Sequence, residues 1–188
     1  MNTSVFEGTM ADMSYPQIEA AIQDHAAVLL PASVIEEHGP HLCTGTDMYL
    51  TGVVCRKVRE ALMEQGHNTV IAPPFYWGVN SITDGFTGSF TISRETAQSL
   101  LKELMENLAR WGFRYIFLIS FHGDFRHMQM LAETAVGMNL KNCQVNYLAD
   151  QSVFQQLGYT SLPACLLPVP LSPAAAAIET ACIDIIIS

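Results

Sequence analysis

Ala26-Ala27-Val28-Leu29-Leu30-Pro31 is an unbroken apolar run, and it leads into Ser33-Val34-Ile35-Glu36-Glu37-His38-Gly39-Pro40-His41-Leu42-Cys43-Thr44-Gly45-Thr46-Asp47. A short run that is apolar at every position, without alternation, suits a strand buried on both faces, as in a parallel sheet. The polar stretch after it then lies where the strand ends and the chain turns. The pattern recurs at Arg114 to Ser120 (RYIFLIS), which runs into Phe121-His122-Gly123-Asp124. Ligands of open parallel sheets sit beyond the carboxyl ends of the strands, so the topology brings these two distant polar stretches together.

Outward from these runs, strands and helices alternate. Ser14-Tyr15-Pro16-Gln17 predicts a helix start, with Ser14 as cap, Pro16 in the first turn and Gln17 reaching back; that helix ends near His25. A second helix begins at Asp47, carries Leu50, Val53, Val54, Val58 and Leu62 on one stripe, and stops at Gly66. Thr69 to Ala72 reads as a short strand. Pro73 to Ser93 is a long loop rich in Gly, Asn, Ser and aromatics, and loops of that length in a compact domain are usually functional. Ser93 caps a helix with the stripe Leu100, Leu101, Leu104, Met105 and Leu108, closed by Gly112. A further helix runs to about Met138, and Gln144 to Leu148 is a fourth strand. After Asp150 the signals weaken: Leu162 to Pro173 reads as extended or loop, and Ala174 to Ile187 opens on an alanine run and ends rich in isoleucine. The alternation predicts an α/β fold, a mostly parallel sheet covered on both faces, within one domain spanning residues 1–188.

Composition narrows the function classes. Nine basic residues against eighteen acidic ones leave a net charge of −9. Neither nucleic acid nor an anionic membrane surface is attracted to such a field. The chain opens without a basic segment followed by an apolar one, so no secretion signal is read. The apolar stretch near the C-terminus carries Glu179 and Asp184 and is too short to span a bilayer. The five cysteines form no C-x-x-C pair and are odd in number, which fits reduced thiols in a cytoplasmic protein.

Glu36, His38, Asp47, His122 and Asp124 supply two imidazoles and three carboxylates, enough for two divalent metals that share one carboxylate. An isolated E-x-H fits a solvated acidic loop, and a histidine after an apolar strand fits a satisfied core residue. The surroundings shift both readings. Glu36 and His38, two apart in an extended segment, point to one side. Gly39 and Pro40 turn the chain, and Asp47 can cap a helix while keeping lone pairs for a metal. Gly123 and Asp124 expose backbone and a second acid beside His122. Glu37 alternates away from its neighbours, His41 can orient a ligand or bind substrate, and Arg126 and His127 fall on the next helix as surface residues. The donors are hard or borderline, so Zn, Mn or a mixed pair fits and cluster chemistry does not.

At these residues the chain resembles the creatininase (creatinine amidohydrolase) family. Ser33 to Leu42 with Thr46-Asp47 is similar to its G-S-x-E-x-H-G-P-H-L-P…T-D signature. Trp77-Gly78 with Phe86-Thr87-Gly88-Ser89 is similar to its P-x-x-x-G…F-P-G-T segment. Trp111-Gly112-Phe113 with Ser120 to Asp124 resembles its G-F…N-G-H segment, and Ile178-Glu179-Thr180 its late E-T-S element. The resemblance implies a three-layer α/β/α fold, shortened at the C-terminus because the chain stops soon after Glu179. It also implies a two-metal site (Zn or Mn, with Fe as a further option) and hydrolysis of a carbon–nitrogen bond in a small, often cyclic amide. By position, Glu36, Asp47 and His122 hold one metal, and His38, Asp47 and Asp124 the other. His41, Trp77, Ser81 and Gly123 fall to substrate binding. The family's relay histidine is replaced by Ala174, which leaves Glu179, Glu37 or His127 to move the proton. A homo-oligomer, commonly a hexamer in the family, is implied as well. Three functions follow: an amidohydrolase of altered specificity; a biosynthetic relative catalysing cyclisation, ring opening or dehydration; and a non-catalytic relative that binds a metal or metabolite.

Overall fold

The structure, a computed structural model, describes residues 4–169. After a 3-10 turn at Met10–Asp12, α1 (Tyr15–Gln23) leads to β1 (Ala27–Pro31), α2 (Thr46–Glu64) and β2 (Thr69–Ile71). Next come α3 (Arg94–Trp111), β3 (Tyr115–Ile119), α4 (Phe125–Gly137), β4 (Gln144–Ala149), α5 (Gln151–Gln156) and β5 (Leu166–Pro168). All strand pairs are parallel, in the order β2-β1-β3-β4-β5. The chain leaves β1 toward β2 on one side and returns to β3 on the other. The order therefore reverses between β1 and β3, and the crevice at their carboxyl ends is the natural ligand site of such a sheet.

The two faces follow from the pleat. Successive strand residues point to opposite faces, so Val28 and Leu30 join Ile116, Leu118 and Tyr147 in one core, while Ala27 and Leu29 join Phe117 and Ile119 in the other. α1, α3 and α4 cover the first face through Ile18, Leu101, Met105, Met130 and Leu131. α2 covers the second through Val54, Cys55, Val58 and Leu62. A fully buried leucine such as Leu101 contributes about 1.5–3 kcal/mol by burial, and Leu101→Ala costs about 2–5 kcal/mol with its cavity. The three-layer α/β/α expectation holds.

The local signals held in part. Gln17 Oε1 accepts from the Ser14 N–H at 2.7 Å, the reach-back expected at the start of α1. Ser93 Oγ accepts from Thr96 N–H at 3.2 Å, and Gly112 ends α3 at φ 119°. Two stripes need correction. On α2, Leu50 and Val53 are exposed, and the buried side is Asp47, Met48, Thr51, Val54, Cys55, Val58 and Leu62. On α3, Leu100 and Leu104 sit at the exposed edge, and Ala97 takes the inner place. α5 and β5 lie in the segment whose signals were weak. Ala174 and Glu179 lie outside the described residues. Cys43, Cys55, Cys143 and Cys165 are free thiols. No helix among the described residues is long and apolar enough to cross a membrane.

Candidate metal centre

β1 and β3 deliver the two motifs to one rim, and backbone hydrogen bonds seat the loops between them. Ala32 N–H donates to Ile119 O at 2.8 Å, Ser33 N–H to Phe75 O at 3.0 Å, and Glu36 N–H to Thr44 O at 3.0 Å. The last bond folds the segment after Glu36 back on itself, with Gly39 at φ 73° in the turn, where a residue without Cβ is at ease. Thr51 links the motifs. Its hydroxyl donates to Asp47 O at 2.7 Å and accepts from Phe121 N–H at 3.3 Å, so the first turns of α2 are tied to the end of β3.

Asp47, buried in the first turn of α2, is the centre. It does not cap the helix, whose N-cap is Gly45. Its two oxygens address different imidazoles: Oδ1 lies 2.9 Å from His38 Nε2, and Oδ2 lies 2.9 Å from His122 Nδ1. Each ring has its other nitrogen on a backbone carbonyl, His38 Nδ1 on Glu36 O at 3.0 Å and His122 Nε2 on Val79 O at 3.1 Å. Carbonyls and carboxylates both only accept, so without a metal each ring donates from both nitrogens; the carbonyls keep their protons when a metal displaces the others, and the nitrogens facing Asp47 are then the ones that ligate. Glu36 completes the group: Oε1 lies 2.8 Å from His122 Nδ1, and Oε2 accepts from the Thr83 hydroxyl at 2.5 Å. One ligand atom each from Glu36, His38 and Asp47 falls within 4.8 Å of the others, a spacing that can hold a metal ion.

Electrostatics agree with this geometry. Burial works against a charge on His122, but Asp47, Glu36 and the Val79 carbonyl outweigh it and raise its pKa above the ordinary value. For His38, partial burial is outweighed by the Glu36 carbonyl and Asp47, and its pKa also rises. Burial would lift the Asp47 carboxyl, yet the two imidazoles hold it below its usual range. Two rings that retain protons beside two acids form a site built for positive charge. A divalent ion can supply that charge in their place, so the donor set fits one.

Other expected residues stand elsewhere. Asp124 is outside the cluster. Its Oδ2 accepts from Ser81 N–H (2.6 Å), Ser81 Oγ (2.7 Å) and Ile82 N–H (3.3 Å). Its Oδ1 accepts from Arg126 N–H (2.8 Å) and His127 N–H (3.2 Å) as the cap of α4. Burial opposes the Asp124 charge, but the Ser81 hydroxyl and these amides hold its pKa low. His127 is not a surface residue. It is fully buried, with Nδ1 accepting from Val79 N–H at 3.3 Å and Nε2 on Ala32 O at 3.1 Å, so neither nitrogen is free to relay a proton. Burial and the neighbouring His122 push its pKa down to about 4.

Glu37 is half-buried, with its N–H on Ser89 Oγ at 2.9 Å and its Oε2 accepting from Gly39 N–H at 2.8 Å. Ser81 is bound to Asp124, His41 and Gly123 are exposed, and Trp77 stacks edge-on against Phe90 at 5.7 Å. Three contributors escaped the sequence reading. Thr83 holds Glu36, Asn80 Nδ2 clamps Phe90 O (2.6 Å) and Ile35 O (3.3 Å), and Val79 acts through its peptide groups. Val79 leaves no side-chain signal. The asparagine and threonine within an aromatic-rich loop are signals only once the loop is known to fold over the rim.

Comparison with known proteins places this architecture. The creatininase family model, described as creatinine amidohydrolase, matches residues 11–167. A creatinine amidohydrolase of Pseudomonas putida is 27% identical over 157 residues, which are 80% of this chain and 55% of that one. A mycofactocin precursor peptide peptidase of Mycolicibacterium smegmatis is 32% identical over 97 residues, 51% of this chain and 39% of its own length. A solved creatininase variant of Zn–Zn type shares the fold at TM-score 0.63 and 18% identity, covering 92% of this chain and 60% of that one. The chain therefore spans about half the length of the curated relatives it matches. With most of its length matched, including both strand-end motifs, the chain belongs to the creatininase family.

Proposed function

We propose that the chain is a metal-dependent hydrolase of a carbon–nitrogen bond in a small amide. One observation carries the reading: the two oxygens of the buried Asp47 address two imidazoles whose other nitrogens are fixed by backbone carbonyls. Glu36, Asp47 and His122 would hold one ion, and His38 with Asp47 a second, as zinc or manganese. Bound there, a divalent ion supplies Lewis acidity, polarising an amide carbonyl and making water a nucleophile near neutral pH.

The residues of the chain do the rest. Asp47 and Glu36 balance the cationic charge of the site, the Val79 and Glu36 carbonyls hold the ring orientations, and Thr83 keeps Glu36 turned inward. With both His127 nitrogens occupied, proton transfer to the leaving amine falls to Glu37 among the described residues. Glu179 lies outside them. The exposed aromatic pair Trp77 and Phe90 offers an apolar wall for the flat face of an amide.

The test has two arms. Protein purified without chelator is expected to hold about two equivalents of Zn or Mn by elemental analysis, and to convert a member of a panel of cyclic amides, formamides and short peptides with gain of one water by mass. Asp47→Ala is expected to lose metal and turnover together; full turnover in that variant refutes the reading. Conversion of peptides alone moves the substrate class to that of the peptidase relative.

A further inference from the structure

His127 lies behind the ligand cluster, and both of its ring nitrogens are engaged by backbone. Nδ1 accepts from Val79 N–H and Nε2 donates to Ala32 O. That placement of the proton is forced, because an amide N–H only donates and a carbonyl only accepts. Val79 in turn presents its own carbonyl to His122 Nε2 at 3.1 Å. One residue is thus held from its N–H side by His127 and holds His122 from its C=O side. The His127 ring also packs edge-on against the His122 ring, with centroids 5.1 Å apart. Gly78 makes room for this: a Cβ there would stand 2.5 Å from Nδ1 and Cε1 of His127.

We propose that His127 is a positioning residue for the metal centre. It fixes Val79 so that the Val79 carbonyl keeps the proton on His122 Nε2 and leaves Nδ1 facing Glu36 and Asp47. The proposal rests on the metal reading given above. A histidine that merely fills the core would satisfy buried backbone groups without consequence for ligation. Here one of those groups belongs to the residue that orients a ligand, so its loss should reach the metal. Outer partners of metal-ligating histidines act in this way elsewhere.

The experiment is zinc affinity by chelator competition on the wild type, His127→Asn and His127→Leu, with the thermal midpoint of each metal-free protein. Asparagine places an acceptor close to the Nδ1 position, keeping the Val79 contact while losing the one to Ala32. Leucine loses both at similar volume. His127→Leu is expected to weaken zinc binding about 10–100-fold, and His127→Asn to recover most of that loss. Lower midpoints with unchanged zinc affinity mark a merely structural residue and overturn the proposal, and so does an equal loss in both variants. Should the variants fail to fold, long-range 1H–15N spectra of the zinc-loaded wild type decide. His127 and His122 must both carry the proton on Nε2, and a proton on His127 Nδ1 overturns the proposal. A wild type that takes up no zinc overturns the metal reading and this proposal with it, whereas a His127→Leu variant that matches a zinc-binding wild type overturns the proposal alone.

Discussion

Asp124→Ala separates a structural aspartate from a ligand. The Asp124 carboxylate accepts from Ser81 N–H, Ser81 Oγ, Ile82 N–H, Arg126 N–H and His127 N–H. Losing the helix cap costs about 0.5–2 kcal/mol. Leaving the Ser81 and Ile82 amides without their charged acceptor costs about 1–2 kcal/mol each, the Ser81 hydroxyl being free to rotate. The sum is about 4 kcal/mol, which at a urea slope of about 2 kcal/mol/M lowers the midpoint by roughly 2 M. Asp124→Asn should lose less, about 2–3 kcal/mol, because Asn caps a helix as well as Asp but turns an NH2 group toward the loop amides. The assay is urea unfolding in chelator, beside zinc equivalents per chain after reloading. The expected result is a large loss of stability with the zinc count unchanged. A variant of near wild-type stability that has lost one equivalent of zinc refutes the argument and makes Asp124 the ligand that the family resemblance implied.

The pH dependence of stability should differ between the metal-free and the zinc-loaded protein. In the metal-free protein, the raised pKa values of His38 and His122 contribute stability that is present below their ordinary value of 6.5 and lost as pH rises through the raised ones. His127, held down to about 4, contributes above 6.5 and loses that contribution as pH falls toward 4. Urea midpoints in chelator should therefore peak near pH 6.5, and saturating zinc should abolish the alkaline decline because ligation needs neutral rings; midpoints still rising above about pH 7.5 in chelator would sink this account. Gly78→Ala drives a Cβ into His127 and to 2.7 Å from Val34 Cγ1, so a loss of about 1–3 kcal/mol is expected in the same assay, and an unchanged midpoint contradicts the packing described. Thr83→Val removes the donor to Glu36 Oε2. It should weaken zinc binding by up to about tenfold, one hydrogen bond to a charged group being worth about 1.5 kcal/mol, with little effect on metal-free stability; unaltered zinc affinity counts against Thr83 holding Glu36.

Much of the fold is legible in local pattern. β1 and β3 are apolar runs with turn residues behind them, and α1 and α3 carry caps that act through bonds within a few residues. β5 is not legible, because three residues ending at Pro168 form a strand only by pairing with β4. The inner face of α2 is a subtler failure. Periodicity gives the centre of a buried face but not where its edge falls against the sheet. Of the expected stripe, Val54, Val58 and Leu62 face the sheet, while Leu50 and Val53 fall at its exposed margin. Thr51 goes inward despite its polarity, since its hydroxyl is satisfied between Asp47 O and Phe121 N–H.

The chain order of residues alone determined the donor chemistry and its address. Glu36, His38 and His122 follow buried strands, and strand ends of a parallel sheet face one crevice. Only the tertiary structure decided which acids meet which rings. Asp47 and Asp124 both stand in or beside the first turn of a helix with an imidazole nearby in sequence. The loop of residues 73–93 gives its Ser81 and Ile82 amides to Asp124 and its Val79 peptide to two histidines, and leaves Asp47 to take the imidazoles. Where a loop's amides land depends on its whole path across the sheet, and no local preference encodes that path.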